Sequence, residues 1–135
     1  MGLKNLKAMN LDASQIKLID SNGFIGLKNL EVLHLSNNKI ELINSNGFIG
    51  LENLKYLDLS KNNLRKIEST TFHSLSKLRT LDLSVNAIEQ IDSIFFLGLN
   101  NLEKIYLDKN QFIINLASFQ NFKKIEFIFG TLFFY

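Results

Sequence analysis

The chain has 135 residues, a formal net charge of +2 and no cysteine. Without cysteine it cannot form a disulfide framework or a thiolate metal site. The small net charge argues against a nucleic-acid or anionic-membrane partner, because binding of either relies on clustered lysine and arginine. A hydrophobic fraction of 46% against 21% charged residues excludes a disordered chain and predicts a packed core.

One pattern of apolar residues returns every 24 residues along the chain. A unit this short cannot bury its own apolar face and must stack on its neighbours, so the period predicts a solenoid. We expect a single array over 1–135 without a linker, with repeats at 3–26, 27–50, 51–74, 75–98 and 99–118 and a partial sixth at 119–135. The clearest copy reads Leu27 xx Leu30 xx Leu33 x Leu35 xx Asn38 x Ile40 xx Ile43 xxxx Phe48, and the others begin at Leu3, Leu51, Leu75 and Leu99.

Each repeat contains a short segment in which apolar and polar residues alternate, which is the period of a strand with one buried face. In the third repeat, Leu57 and Leu59 point inward, and the residues between and beside them point outward. Stacked side by side, such strands form a parallel sheet on the concave side of the solenoid. The predicted strands are Ala8–Asp12, Val32–Ser36, Tyr56–Ser60, Thr80–Ser84 and Lys104–Asp108.

An asparagine follows the last inward leucine of the strand by three residues in four repeats. Where a parallel stack turns away from its sheet, backbone groups are left inside the solenoid and must be paired. An asparagine side chain offers both a donor and an acceptor for them. We therefore predict a structural asparagine ladder formed by Asn38, Asn62, Asn86 and Asn110, with Ser14 in its place in the first repeat.

The far side of each repeat starts with a serine, a residue that often caps a helix. We expect a short helical or 3₁₀ turn there, capped by Ser21, Ser45, Ser69 or Ser93. The turn buries a column of phenylalanines and is closed by glycine in three repeats. The column consists of Phe24, Phe48, Phe72 and Phe96, and the glycines are Gly26, Gly50 and Gly98.

The C-terminal segment departs from the period. The pattern restarts after 20 residues, as Phe119 xx Phe122 xx Ile125 x Phe127, and this register predicts Gly130 at the ladder position and Leu132 at the next apolar one. The segment is too short for a membrane span, which needs about 20 apolar residues. Its many phenylalanines predict an uncovered apolar edge at which the chain could associate with itself.

At the residues LxxLxLxxN the pattern resembles the leucine-rich repeat family, in the 24-residue subclass found in receptor and extracellular arrays of the Toll-like receptor or Slit type. The resemblance covers nearly the whole chain. It implies an α/β solenoid, a right-handed superhelix with a concave parallel sheet and short helical, 3₁₀ or irregular segments on the convex side. It also implies that the outward strand positions contact a protein ligand.

Carried over to this sequence, the candidate protein-binding residues occupy neighbouring strands of the concave face. Tyrosine is a common interface anchor, and the aspartates favour a partner with a basic surface. The residues are Val32, His34, Tyr56, Asp58, Thr80, Asp82, Lys104 and Tyr106. In the predicted sixth strand the equivalent outward positions are Lys124, Glu126 and Ile128.

We expect no enzymatic activity, no cofactor and no metal site. The residues His34, Asp58, Ser36 and Ser60 could in principle form a Ser/His/Asp group, but an open strand surface gives little electrostatic preorganisation. The leading hypothesis is a protein-binding segment of a receptor-like or secreted protein, located outside the cell or at its surface by resemblance. The alternative is an intracellular or bacterial array with a structural or adhesive role. This alternative stays open because the sequence has no cysteine, no glycosylation sequon and no signal peptide before the first repeat.

Overall fold

The computed structural model describes residues 2–91, 93–111 and 124–130. Two short strands, β2 (Leu18–Ile19) and β4 (Leu42–Ile43), form a separate two-stranded sheet. Every pairing is parallel and joins equivalent segments of neighbouring repeats, so the predicted solenoid is confirmed. The main sheet has six strands in the order β1 (Ala8–Asn10), β3 (Val32–His34), β5 (Tyr56–Asp58), β6 (Thr80–Asp82), β7 (Lys104–Tyr106) and β8 (Glu126–Ile128).

The strands of the main sheet are three residues long, shorter than the five-residue segments predicted. The backbone bonding between repeats nevertheless continues past each strand end. Leu35 N–H donates to the Asp58 carbonyl at 2.9 Å, and Asn37 N–H donates to the Ser60 carbonyl at 3.1 Å. The positions and the 24-residue register of the first five predicted strands are therefore confirmed.

The core is built from the inward side chains of the strands and turns. Leu33, Leu57 and Leu81 are fully buried at the centre of their strands. Burying a leucine contributes about 1.5–3 kcal/mol, and one repeat supplies several such residues. The stack is less complete at its first turn, where Leu6 and Met9 pack against the core but are only half-buried.

A stack of phenylalanine rings runs along the turns opposite the sheet. Phe48 lies between Phe24, at a centroid distance of 6.1 Å, and Phe72, at 5.8 Å. In the fourth repeat the predicted column changes partner, because Phe95 and not Phe96 packs edge-on against Phe72, at 5.2 Å. Both Phe95 and Phe96 are buried, so this repeat contributes two rings to the core.

The convex turns are mostly hydrogen-bonded turns and not helices. A 3₁₀ helix forms at Ser93–Phe96, whereas the equivalent residues 21–26, 45–50 and 69–74 form turns. At two of these turns, the side-chain oxygens of Asp20 and Asn44 accept hydrogen bonds from the backbone N–H groups of Ser21 and Asn46. Both acceptors lie one residue before the predicted serine caps. In the described residues, no helix is long and apolar enough to cross a membrane.

Glycine closes three turns in a left-handed conformation, with φ of 92° at Gly26, 102° at Gly50 and 87° at Gly98. At Gly98 a Cβ atom would collide with the backbone of His73 in the preceding repeat. At Gly26 nothing lies within 4 Å of the same position. The glycine of an inner repeat is therefore needed for close stacking as well as for its φ angle.

The register predicted for the sixth repeat is wrong. In β8, Glu126 pairs with Lys104 and Phe127 pairs with Ile105, which is an offset of 22 residues and not 20. Apolar residues alternate from Ile125 onward, so two registers are possible on pattern alone. The observed one places Phe127 edge-on against Phe96 and stacks it on Phe129.

This shift also corrects the predicted position of Gly130. A Cβ atom on Gly130 would lie 2.8 Å from the Asp108 Cβ, which places the glycine opposite Asp108 and before the ladder position. The predicted core residues Phe119, Phe122 and Leu132 lie outside the described residues.

The four ladder asparagines each connect two repeats through the side-chain amide. In the third repeat, Asn62 Oδ1 accepts a hydrogen bond from Ile40 N–H at 3.0 Å. Asn62 Nδ2 donates to the carbonyls of Leu35, Leu59 and Ser60 at 3.0–3.1 Å. Asn38, Asn86 and Asn110 make the equivalent set.

A second asparagine column, not noticed in the sequence, lies at the opposite end of the strands. Asn29 Nδ2 donates to the Lys4 carbonyl at 2.6 Å, and Asn53 Nδ2 donates to the Lys28 carbonyl at 2.7 Å. Asn101 makes the same bond in the fifth repeat. The signal was available, since these residues share the period, but asparagine is so frequent in this chain that the column was not distinctive.

Candidate functional site

The outward face of the main sheet holds all eight candidate residues together, and each of them is half-buried. Because pairing is in register, their side chains form two parallel columns that cross strands β3, β5, β6 and β7. The first column contains Val32, Tyr56, Thr80 and Lys104, and the second contains His34, Asp58, Asp82 and Tyr106.

Aromatic and acidic groups meet at the middle of this face. The His34 ring lies 5.3 Å from the Tyr56 ring, centroid to centroid, at an interplanar angle of 49°. His34 Nδ1 lies 3.9 Å from Asp58 Oδ2, so a protonated His34 would form a long ion pair there. The three side chains form one continuous surface across β3 and β5.

The aspartates of the second column also order the turn that follows each strand. Asp58 Oδ1 accepts hydrogen bonds from Ser60 N–H at 2.9 Å and from Ser60 Oγ at 2.6 Å. Asp82 Oδ1 accepts the same two bonds from Ser84 at 2.9 and 2.6 Å. One oxygen of each carboxylate therefore serves the backbone, and this role was visible as the Asp-x-Ser spacing but was not inferred.

The charges on the face are predominantly negative, and they contribute to raised pKa values of Asp82 and Tyr56. Burial raises the pKa of Asp82, and the nearby carboxylates of Asp58 and Asp108 raise it further. Burial also raises the pKa of Tyr56 to about 12, with additional contributions from Asp58 and Asp82. Each of these shifts reflects negative charge that is poorly solvated and close to other negative charge.

At the C-terminal edge of the face, the residues differ from those predicted. Glu126 and not Lys124 lies beside Lys104, and Lys104 Nζ is 3.7 Å from Glu126 Oε2. Ile128 lies beside Tyr106. Lys104 is therefore partly neutralised, which leaves the aspartates as the main charges of the face.

One rim of the concave sheet is lined by a column of residues with positive φ. The column stands one residue before the ladder position in each of the first five repeats, and we call it the left-handed rim. It consists of Ala13 (φ 53°), Asn37 (53°), Lys61 (54°), Val85 (54°) and Lys109 (54°).

In the Ser/His/Asp group considered from the sequence, the Ser60 hydroxyl donates to Asp58 Oδ1 at 2.6 Å, so it bonds a carboxylate and not His34. Within residues 2–91, 93–111 and 124–130, no three His, Cys, Asp or Glu side chains are arranged to hold a metal ion.

Comparisons with known proteins agree on the architecture. The family model "Leucine rich repeat" matches residues 4–64 and 52–112. Among curated proteins, no significant match is found.

Two crystal structures show a similar fold. The leucine-rich repeat domain of APL1B is 27% identical with a TM-score of 0.78, over 84% of this chain and 35% of that one. A TLR13–ssRNA13 complex is 24% identical with a TM-score of 0.70, over 93% of this chain and 26% of that one. The chain thus spans about a third and a quarter of the length of these two proteins, and the likeness to the second concerns the fold alone.

Proposed function

We propose, because the chain belongs to the leucine-rich repeat family, that it is a binding scaffold without enzymatic activity whose concave sheet recognises another protein. The observation that carries the proposal is the composition of the face. Two tyrosines, a histidine and half-buried aspartates are concentrated on one open side of a rigid sheet. Tyrosine is enriched at interface hot spots, and charged rims steer association.

The charge on the face favours a protein with a basic surface over a nucleic acid. Asp12, Asp58, Asp82 and Asp108 would all oppose phosphate groups. Beyond the larger effect of burial, the neighbouring carboxylates raise the pKa values of Asp82 and Tyr56, as a negative potential would. A lysine- or arginine-rich protein surface would relieve this potential, and its association would slow as ionic strength rises.

The area available suits a modest interface. Six strands at about 4.8 Å spacing span roughly 24 Å. We infer that the chain belongs to a receptor-like or secreted protein and provides part of a larger binding surface. The other candidate is an intracellular or bacterial array with a structural or adhesive role, and the same sheet would then contact a fixed neighbour.

The proposal can be tested by combining crosslinking with a triple substitution. A photo-crosslinking amino acid at Thr80 identifies the protein that contacts the face, and the same group at Gln90, which is exposed outside the sheet, reports background. Capture of the identified protein is then compared between wild type and Tyr56→Ala/Asp58→Ala/Asp82→Ala. The expected result is loss of capture by the triple variant.

A matched control carries Lys39→Ala, Glu41→Ala and Gln90→Ala, three exposed positions outside the main sheet. This variant should retain capture. Equal capture by wild type and the concave-face variant, with both folded by circular dichroism, would remove the proposal.

A further inference from the structure

The left-handed rim contains one residue that is poorly suited to its backbone conformation. Asparagine, at Asn37, is among the side chains that adopt positive φ most readily. Valine, at Val85, is β-branched, and positive φ is a genuine outlier for such a residue. Of the five rim residues, Val85 is the one with a β-branched side chain, which disfavours positive φ.

Hydrogen bonding does not account for valine at this position. Val85 N–H donates to the Asp108 carbonyl at 2.9 Å, but Lys61 N–H makes the same bond to the Ser84 carbonyl at 3.0 Å. The backbone therefore requires the conformation and is indifferent to the side chain. An asparagine or a glycine would make the same bond with less strain.

Core packing does not select valine at this position. The residue is 36% exposed and is not part of the buried core cluster of the solenoid. About a third of the side chain is therefore open to a partner. Residues held in unfavourable backbone conformations cluster at functional sites.

The residues around Val85 indicate the chemistry of a group that could bind there. Val85 lies three residues after the end of β6, beside the concave face. Its neighbours along the rim are Lys61 and Lys109, both exposed, and in the described residues no carboxylate is paired with either ammonium group. The rim therefore presents a small apolar group between two positive charges.

We propose that Val85 is a contact residue for the protein partner, retained at a cost in stability, and that the partner places an apolar side chain flanked by carboxylates against it. This inference rests on the proposed function of the concave sheet. It makes the interface two-sided in charge, because the aspartates of the sheet favour basic groups and the rim favours acidic ones. Such alternation fixes the orientation of a partner.

Stability provides the first test and needs no partner. Val85→Asn and Val85→Gly should both denature at a higher urea concentration than wild type, with Val85→Asn the cleaner comparison. Asn37→Val introduces the same mismatch at an equivalent position and should denature at a lower one. If Val85→Asn is no more stable than wild type, Val85 is not strained and the inference fails.

Binding provides the second test. A phage-displayed library of random peptides is selected on the full wild-type chain, and the recovered peptides are measured against each variant. Peptides with an apolar residue between acidic residues should be enriched and should bind Val85→Asn about tenfold more weakly. Val85→Thr keeps the β-branch and the strain but replaces a methyl with a hydroxyl, so it should also bind more weakly without becoming as stable as Val85→Asn.

The outcomes separate this inference from the proposed function. Peptides that bind Val85→Asn as well as wild type, yet fail on the Tyr56/Asp58/Asp82 triple variant, overturn the role of Val85 alone. Peptides that bind the triple variant normally overturn the two-sided interface, whereas the concave-face proposal itself is decided by capture of the crosslinked protein. A selection that enriches no acidic-apolar sequence overturns the inferred chemistry of the partner.

Discussion

Replacing Asn62 with alanine should destabilise the chain mainly through one backbone group. The side chain is 6% exposed and makes four hydrogen bonds. Three of its partners are carbonyls that keep a second donor. The Leu35 carbonyl still accepts from Asn38 Nδ2, the Leu59 carbonyl from Asn86 Nδ2, and the Ser60 carbonyl from a backbone N–H.

The remaining partner is the Ile40 N–H, which donates to Asn62 Oδ1 and lies in a residue that is fully buried. An orphaned buried donor costs about 1–3 kcal/mol. We therefore expect Asn62→Ala to lower the free energy of unfolding by about that amount. For a chain of this size it corresponds to a fall in Tm of roughly 3–10 °C.

The measurement is urea denaturation followed by circular dichroism, with thermal melting as a second readout. Asn63→Ala is the matched control, because it is the same substitution one position along at an exposed residue. It should change stability by less than about 0.5 kcal/mol. If the two variants are equally stable, the bridging amide contributes nothing and the reasoning from orphaned groups is refuted.

Three further predictions concern the turns and the charged groups. Gly26→Ala should lower the free energy of unfolding by about 1–2 kcal/mol because of its φ angle alone. Gly98→Ala adds a collision with the backbone of His73 and should lower it clearly more in the same denaturation assay. Similar losses for the two variants would argue against close stacking at Gly98. The Glu31 carboxyl has its pKa lowered to about 2, chiefly by the hydrogen bond from Lys55, so NMR titration of Lys55→Met should show it moving back toward 4.5. Because the folded pKa is depressed, the stability it provides is present above pH 4.5 and is lost as pH falls toward 2, and an unchanged titration in the variant would contradict the ion pair. Tyr56 has its pKa raised from 10 to about 12, so the tyrosinate absorbance change at the highest pH should disappear in Tyr56→Phe. Because the folded pKa is raised, the stability linked to the protonated Tyr56 hydroxyl is present below pH 10 and is lost as pH rises through 12.

The sequence determined most of the fold because the period fixes position and orientation together. Once Leu33 and Leu57 are assigned to equivalent inward sites, the residues between them must face outward. This is why the register of β3 against β5 could be predicted to the residue. The eight candidate residues were grouped on one face by the same argument, and the structure places them there.

The failures occur where the pattern is compatible with two arrangements. In β8, alternating apolar residues allow registers that differ by two, and ring packing by Phe127 decides between them. In the fourth repeat, Phe95 and Phe96 are adjacent and both buried, and the period alone does not show which of them contacts Phe72. The strain at Val85 could not be seen either, because φ follows from the turn that the stacked neighbours impose.

The ladder bonds also determine how the length of such a chain can change. Each asparagine side chain reaches groups 22 or 27 residues earlier as well as groups in its own repeat. A residue inserted between a strand and its ladder asparagine would misalign these bonds, whereas a duplicated 24-residue unit would meet the same donors and acceptors at both of its junctions. Growth or loss of this protein in evolution should therefore proceed by whole repeats, and each event would widen or narrow the binding face by one strand.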